Sequence, residues 1–171
     1  MSHQSKQELE NFRKGIEIMI RIDSPAAINN TNADHAKIIL EAMFAAVTTS
    51  AFVFCGHVAP DVWGSETMAR NIEMAILRGV DVKFIVERPG DLPTADDSPT
   101  VAALRRNPGV LVASDGIPGW NRHFAVFDSK RFRVETNHEN KTAIACANNP
   151  EIAQGLERIA KAMLKPDRSI T

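Results

Sequence analysis

The sequence predicts an α/β fold, a mixed β-sheet flanked by helices on both faces, in a single domain. Segments with strand and helix patterns alternate between residues 51 and 115, which is typical of parallel strands joined by helices. Two later apolar strands are joined by the short turn Asp128, Ser129 and Lys130 and predict an antiparallel hairpin. The length of 171 residues suits one domain.

The N-terminal segment carries two overlapping patterns. Residues 1–14 are polar and predict a short helical arm. Four isoleucines then alternate with other residues: Ile16, Ile18, Ile20 and Ile22. This period of two predicts a half-buried strand, and a continuous helix is the competing prediction. The domain is expected to span residues 15–165, with residues 166–171 as a tail.

The other elements follow from apolar periodicity and from capping residues, glycine and proline. Helices are predicted over residues 29–50, 67–78, 98–106 and 150–165. Strands are predicted over residues 51–55, 80–87, 109–115, 123–128, 131–136 and 141–148. Asn30, Thr31 or Asn32 is expected to cap the first of these helices. The run AFVFC at residues 51–55 is apolar throughout, which favours a central strand covered on both faces.

The composition limits the classes of partner. Lys plus Arg is 20 and Asp plus Glu is 21, a net charge of -1, which disfavours a general nucleic-acid coat because such coats are cationic. Five basic residues leave a local patch open, with a solvated face as the alternative: Arg105, Arg106, Lys130, Arg131 and Arg133. No apolar run is long enough to span a membrane, and the first residues contain no signal-peptide core.

The two cysteines indicate the compartment. Cys55 and Cys146 lie in apolar runs and are predicted to be buried thiols in a reducing environment. They do not have metal-ligand spacing, so no metal site is expected. Together with the charge and the polar N-terminus, this favours a cytoplasmic protein without membrane contact and without a cofactor.

Polar residues gather around the hairpin. Asn121 and His123 point to the same face of a predicted strand because they are two residues apart. Thr136 and His138 lie on the return strand, so these four residues are expected to meet at one end of the sheet. Two imidazoles and two hydrogen-bonding groups there can bind a phosphate when the histidines are protonated. The alternative is an ordinary hairpin with polar ends, flanked by Glu135 and Glu139.

A second candidate wall follows the strand 51–55. His57 lies beyond its carboxyl end, where open α/β sheets bind ligands. Asp61, Trp63 and Ser65 follow it, although an ordinary loop with Ser65 as an N-cap is the favoured explanation of Asp61 and Ser65. Trp63 and Trp120 are predicted in loops near this mouth, where they can stack on a base, fill a dimer seam or cover the core.

The order of elements from about residue 16 to residue 164 resembles one half of the phospholipase D superfamily. A helix leads into AFVFC, the next helix ends in ILRGVDVKFIVE, and an intervening helix, the hairpin and a terminal helix follow. That family carries H-x-K-x4-D and then G-S-x-N. Its histidine attacks phosphorus, its lysine and asparagine hold the phosphate oxygens, and two copies of the motif make one site.

Alignment on Asp128 shows where this chain departs from the family. Asn121 takes the histidine position and His123 the lysine position, and the G-S-x-N positions fall on Glu135, Thr136, Asn137 and His138. Alignment on His123 instead leaves Ala125 at the lysine position and shifts the aspartate. A carboxamide has no nucleophilic lone pair comparable to that of imidazole, so the resemblance implies that the covalent reaction has been lost.

Three hypotheses follow from the resemblance. The first is a catalytically degenerate domain that acts as a binding or assembly module, pairs as a homodimer across the motif face and binds a phosphate-bearing ligand. The second is an active nuclease or phosphodiesterase that uses His123 with Asp128, and His138 or His57 as acid, across a dimer. The third is a sensor that binds a nucleotide or another phosphate-bearing small molecule between His57 and the hairpin.

Overall fold

The computed structural model describes residues 3–164 and Ile170. Its strands form one mixed sheet in the order β1-β7-β6-β5-β2-β3-β4. They are β1 (Ala27–Asn30), β2 (Ser50–Cys55), β3 (Asp81–Val86), β4 (Leu111–Ala113), β5 (Phe124–Phe127), β6 (Arg131–Asn137) and β7 (Thr142–Cys146). The neighbours β2, β3 and β4 are parallel, and the other pairs are antiparallel.

Helices cover both faces of this sheet. They are α1 (His3–Arg21), α2 (Ala33–Ala46), α3 (Pro60–Trp63), α4 (Glu66–Leu77), α5 (Pro99–Arg105) and α6 (Pro150–Met163). Residues of α1 to α5 pack with Val53 of β2 in one core, and α6 packs with Phe52 and Phe54 in the other. Successive side chains of a strand point to opposite faces, so the apolar run in β2 serves both cores. The predicted fold class is confirmed.

Residues 16–21 form the last third of α1, so the predicted strand is wrong and the competing continuous helix is confirmed. Ile16 and Ile20 are 2% and 5% exposed, whereas Ile18 and Ile22 are 47% and 64% exposed. Positions four apart share a face in a helix as well as in a strand. The alternating isoleucines therefore fit both structures over this short window.

The predicted arm is the first part of the same helix. The boundary expected after residue 14 lies within α1. The ring of Phe12 stacks on His35 of α2 with centroids 3.9 Å apart. Arg13 Nη2 lies 2.8 Å from Oε2 of the buried Glu41. These contacts hold α1 against α2.

Strand β1 is absent from the sequence prediction, which began a helix at residue 29, within β1 and four residues before α2 begins. It pairs with β7, and its last residue, Asn30, is buried and only 2% exposed. Asn32 caps α2 by accepting a hydrogen bond from His35 N, which confirms one of the expected caps. The predicted tail 166–171 lies outside the described residues except for Ile170, whose N–H donates to Leu111 O.

The hairpin between β5 and β6 is tied to the start of β2 by Asp128. Asp128 and Ser129 have φ of 52° and 53°, as the central residues of a type I′ turn require. The Asp128 carboxylate accepts hydrogen bonds from the N–H groups of Thr48, Thr49 and Ser50, and the one from Thr49 measures 2.7 Å. Asp128 N in turn donates to Ser50 O at 2.9 Å. These bonds align β5 beside β2.

Most residues of the basic patch that the sequence left open form ion pairs or are buried. Arg131 reaches Asp128 at 2.8 Å and Asp23 at 3.1 Å, and Lys130 reaches Asp23 at 2.8 Å. Arg133 is buried, and Arg106 pairs with Glu73. No helix among the described residues is both long and apolar enough to cross a lipid bilayer.

Replacing Asp128 by Asn should lower the free energy of unfolding by about 2 kcal/mol at about pH 7, because hydrogen bonds to a charged group are lost. Burial raises the pKa of Asp128, but the hydrogen bonds from Thr49, Thr48 and Ser50 outweigh it and hold that pKa below 3.8. A carboxylate with a lowered pKa stabilises the fold above its ordinary pKa. This stabilisation is lost as the pH falls through the lowered folded-state pKa.

Urea unfolding at about pH 7 and about pH 3 measures this effect. The difference between Asp128→Asn and the parent chain should shrink at the lower pH. Asp96→Asn, on an exposed loop, should change stability little at either pH. An Asp128→Asn loss of equal size at both pH values would contradict the proposed role of the charge.

Candidate functional site

Three polar residues meet where β2 and β3 end and β5 begins. His57 follows β2 after Gly56, Glu87 directly follows β3, and His123 directly precedes β5. Strand β5 is antiparallel to β2, so its first residue lies at the edge where β2 ends. The sheet topology therefore collects residues that are far apart in the sequence at the edge where α/β sheets place ligands.

Strand β6 brings two further residues to the same edge. Glu135 N donates to His123 O at 2.9 Å, which places Glu135 beside His123. A register shift between Glu135 and Asn137 interrupts the ladder with β7, and the chain then turns at His138. The ring centroids of His123 and His138 lie 4.7 Å apart, and the two rings meet edge to face.

These residues form what we call the carboxylate–histidine cluster: Glu87, His123, Glu135 and His138. His123 Nε2 lies 3.3 Å from Glu87 Oε2, and His123 Nδ1 lies 3.3 Å from Glu135 Oε2. His138 Nδ1 lies 3.1 Å from the same Glu135 oxygen. Both ring nitrogens of His123 therefore face a carboxylate, and Glu135 joins the two histidines.

Arg133 supports the cluster from the buried side. Its Nη1 donates to Glu135 Oε1 at 3.4 Å, and its Nε donates to Asn30 Oδ1 at 2.8 Å. Asn30 Nδ2 also donates to Lys141 O at 2.9 Å. The side chains of Arg133 and Glu135 are 5% and 11% exposed. The otherwise unpredicted strand β1 thus supplies, through Asn30, part of the support of the site.

The Glu135 carboxyl is ionised at neutral pH. Burial raises its pKa, but hydrogen bonds with His123 and His138 and the charge of Arg133 outweigh burial and lower the pKa to about 2. Burial lowers the pKa of His123, yet Glu135 and Glu87 together raise it above its ordinary 6.5. The carboxylates thus dominate the electrostatics around His123.

The rim of the site is more positive. His57 Nδ1 lies 3.3 Å from Arg88 Nη2. Burial lowers the pKa of His57, and the positive charges of Arg88 and Lys141 lower it further. The site therefore combines an inner pair of carboxylates with an outer group of cations.

A cavity of about 30 Å³ lies between the cluster and the apolar side chains of Leu40, Val62 and Trp63. Backbone and side chains approach closely here, since a Cβ on Gly56 would lie 2.8 Å from Arg88 Nη2 and 3.2 Å from His123 Cε1. Cys55 also lines the cavity. Burial, followed by the charges of Glu135 and Glu87, raises its pKa to about 12, so its thiol stays protonated.

Only part of the expected set converges. His123 and His138 meet, and His57 lines the same cavity. Asn121 is exposed in the loop before β5. The hydroxyl of the exposed Thr136 lies 3.1 Å from that of Thr142, away from the cluster contacts.

Asp128 lies far from the cluster, and the two tryptophans pack against other aromatic side chains. Asp128 follows β5 at its far end, about 16 Å from His123 at the usual rise per residue. Trp63 is 6% exposed and packs edge to face on Phe84 at 5.1 Å. Trp120 packs against Phe124 at 5.9 Å. Ser65, which was considered as part of the second candidate wall, is instead the N-cap of α4.

Sequence reasoning missed Glu87 and Arg133 as parts of the site and treated Glu135 as a flanking residue. Glu87 could have been found, because it follows a predicted strand just as His57 does. Arg133 could not, since its partner Asn30 lies on a strand that the sequence did not reveal. The sequence argument against a metal considered the cysteines alone. His123, Glu135 and His138 offer ligand atoms that all lie within 4.8 Å of one another.

No protein-family model matches this sequence. No curated protein matches it either. Solved structures do match in fold. Nuc from Salmonella typhimurium, a phospholipase D family member, superposes with a TM-score of 0.61 at 15% identity and covers 86% of this chain and 99% of its own. NucT from Helicobacter pylori gives a TM-score of 0.58 at 14% identity and covers 81% of this chain and 96% of its own.

The archaeal chromatin protein TrmBL2, described as showing a novel mode of DNA binding, gives a TM-score of 0.55 at 14% identity over 93% of this chain and 63% of its own. At these identities the similarity is one of fold. The chain has a phospholipase-D-like α/β fold, as its order of elements suggested.

Replacing Arg133 by Met should lower the free energy of unfolding by about 3 kcal/mol, because it leaves the largely buried Glu135 carboxylate without its cation. Arg105→Met, at the exposed end of α5, is the matched control and should have little effect. Chemical denaturation of both variants measures the difference. Equal losses in the two variants would contradict the supporting role of Arg133.

Proposed function

We propose that this chain is a catalytically degenerate phospholipase-D-like domain that acts as a binding or assembly module and pairs as a homodimer. The observation that carries the proposal is the environment of His123. Each of its ring nitrogens lies 3.3 Å from a carboxylate oxygen. An attacking imidazole must instead direct a lone pair at phosphorus, and neighbouring carboxylates repel the phosphoryl oxygens.

The other motif positions support the same proposal. Asn121, at the family's histidine position, is exposed and carries a carboxamide. Glu135, at the first position of the second motif, places an anion where the family has a glycine. Positive charge that stabilises a phosphoryl transition state is thus offset at the centre of this site.

Within this proposal, a phosphate-bearing ligand such as a nucleotide is held at the rim of the cavity. Arg88 and Lys141 supply positive charge there, and the lowered pKa of the adjacent His57 reflects burial and then that charge. Glu87 and Glu135 disfavour an anion further inside. The cavity of about 30 Å³ also admits little more than water.

An active phosphodiesterase is the second candidate, and one observation favours it. The ring of His123 lines the cavity and is oriented by Glu87, as carboxylates orient catalytic histidines. In that case a second copy of the chain would complete the site.

Phosphodiesterase assays separate the two candidates. The purified chain should give no turnover of single- and double-stranded nucleic acids, nucleotides or phospholipid head groups, because the covalent step lacks a free nucleophile. Nucleotides should be recovered unchanged. Turnover that disappears in His123→Ala but persists in His35→Ala would establish the second candidate and overturn the first.

The proposed pairing has a separate test. Asn121→Arg adds a charge at an exposed position of the motif face and should shift sedimentation equilibrium from dimer toward monomer, because two like charges would meet across the symmetry axis. Gln154→Arg, on the exposed side of α6, should leave the dimer intact. A monomeric parent chain would refute the homodimer.

A further inference from the structure

We propose that His123, Glu135 and His138 bind a divalent transition-metal ion of the zinc class. The ligand atoms are Nδ1 of each histidine and Oε2 of Glu135. This inference goes beyond the proposed function and stands without it, because a domain can bind a metal at this site with or without turnover.

The spacing of the ligand atoms fits such an ion. Ligands at about 2.0–2.2 Å from zinc in a tetrahedral arrangement lie about 3.3–3.5 Å from one another. Glu135 Oε2 lies 3.3 Å from His123 Nδ1 and 3.1 Å from His138 Nδ1. All three residues offer ligand atoms within 4.8 Å of one another, so small side-chain rotations bring them onto one ion.

The chemistry of the set is also appropriate. Two imidazoles and one carboxylate form a ligand set that zinc and other first-row metals use. Calcium and magnesium prefer all-oxygen sites, so the imidazoles favour a transition metal. The three residues line the cavity, which leaves room for a water molecule as a further ligand.

The surrounding contacts resemble those that orient metal ligands. Histidine ligands usually donate their other ring N–H to a carboxylate or carbonyl. With Nδ1 on the metal, His123 Nε2 faces Glu87 Oε2 at 3.3 Å. Arg133 donates to Glu135 Oε1 at 3.4 Å and leaves Oε2 for the ion. Glu87 and Arg133 are therefore assigned as positioning residues.

Charge provides an independent argument. Glu87 and Glu135 place two carboxylates beside His123 at a partly buried edge, and Arg133 balances one of them. A divalent ion neutralises the remaining charge, as buried carboxylates require. The competing arrangement is an ion-pair cluster with protonated histidines, and a binding experiment distinguishes it.

The test uses the full chain after treatment with a chelator and gel filtration. Titration with Zn²⁺ in a calorimeter should show about one equivalent bound at micromolar protein, and Co²⁺ should produce visible absorption bands typical of a tetrahedral site. His138→Ala should weaken Zn²⁺ binding by at least about 100-fold, and Glu87→Gln by about 10-fold. His138 is half exposed, so its removal leaves the fold intact.

His35→Ala is the matched control, since His35 lies on α2 and stacks on Phe12 outside the cluster. It should bind Zn²⁺ as the parent chain does, and circular dichroism checks the fold of each variant. Less than half an equivalent of Zn²⁺ bound by the parent chain would overturn the proposal. So would unchanged Zn²⁺ affinity in His138→Ala, because the ion would then occupy another position.

Discussion

The Asp128 carboxylate is the constraint on which the site depends. It accepts hydrogen bonds from the N–H groups of Thr48, Thr49 and Ser50 where the chain enters β2, and it also forms an ion pair with Arg131. This clamp fixes β5 between β2 and β6. Strand geometry then carries the alignment to the opposite edge, where His123 begins β5 beside the end of β2 and opposite Glu135. The aspartate that matches the family motif thus acts on the site through the register of the sheet.

The opposite edge is organised by a second buried charge, that of Glu135. Arg133 holds one of its oxygens, and His123 and His138 approach the other. Removing either partner of a buried ion pair is costly because the remaining charge stays desolvated. The same cost explains why the buried Arg133 guanidinium also donates hydrogen bonds to Asn30 Oδ1 and to the carbonyl of Lys141. The cluster is consequently a set of imidazoles and carboxylates that are paired with one another at this edge of the sheet.

Similarity to Nuc and NucT extends over nearly the whole of those chains but concerns the fold. In this chain the fold places the start of the hairpin strand β5 beside the end of β2, which is parallel to β3. In this chain those positions hold an exposed asparagine, a histidine between two carboxylates and a glutamate. Function depends on the side chains of the site and not on the fold, so similarity in fold does not by itself assign the chemistry of these residues.

The sequence by itself determined the α/β class, the strands from β2 to β7, most helices and the caps at Asn32 and Ser65, because apolar periodicity and capping chemistry are local. It left residues 16–21 ambiguous, since Ile16 and Ile20 share a face in both helix and strand. Only the tertiary structure decided that this segment is a helix on α2, that Asn30 forms an edge strand, and that Glu87 and Glu135 reach His123 in place of Asn121 and Thr136. These outcomes depend on contacts between residues far apart in the chain, and local patterns do not encode which distant charge a buried side chain will meet.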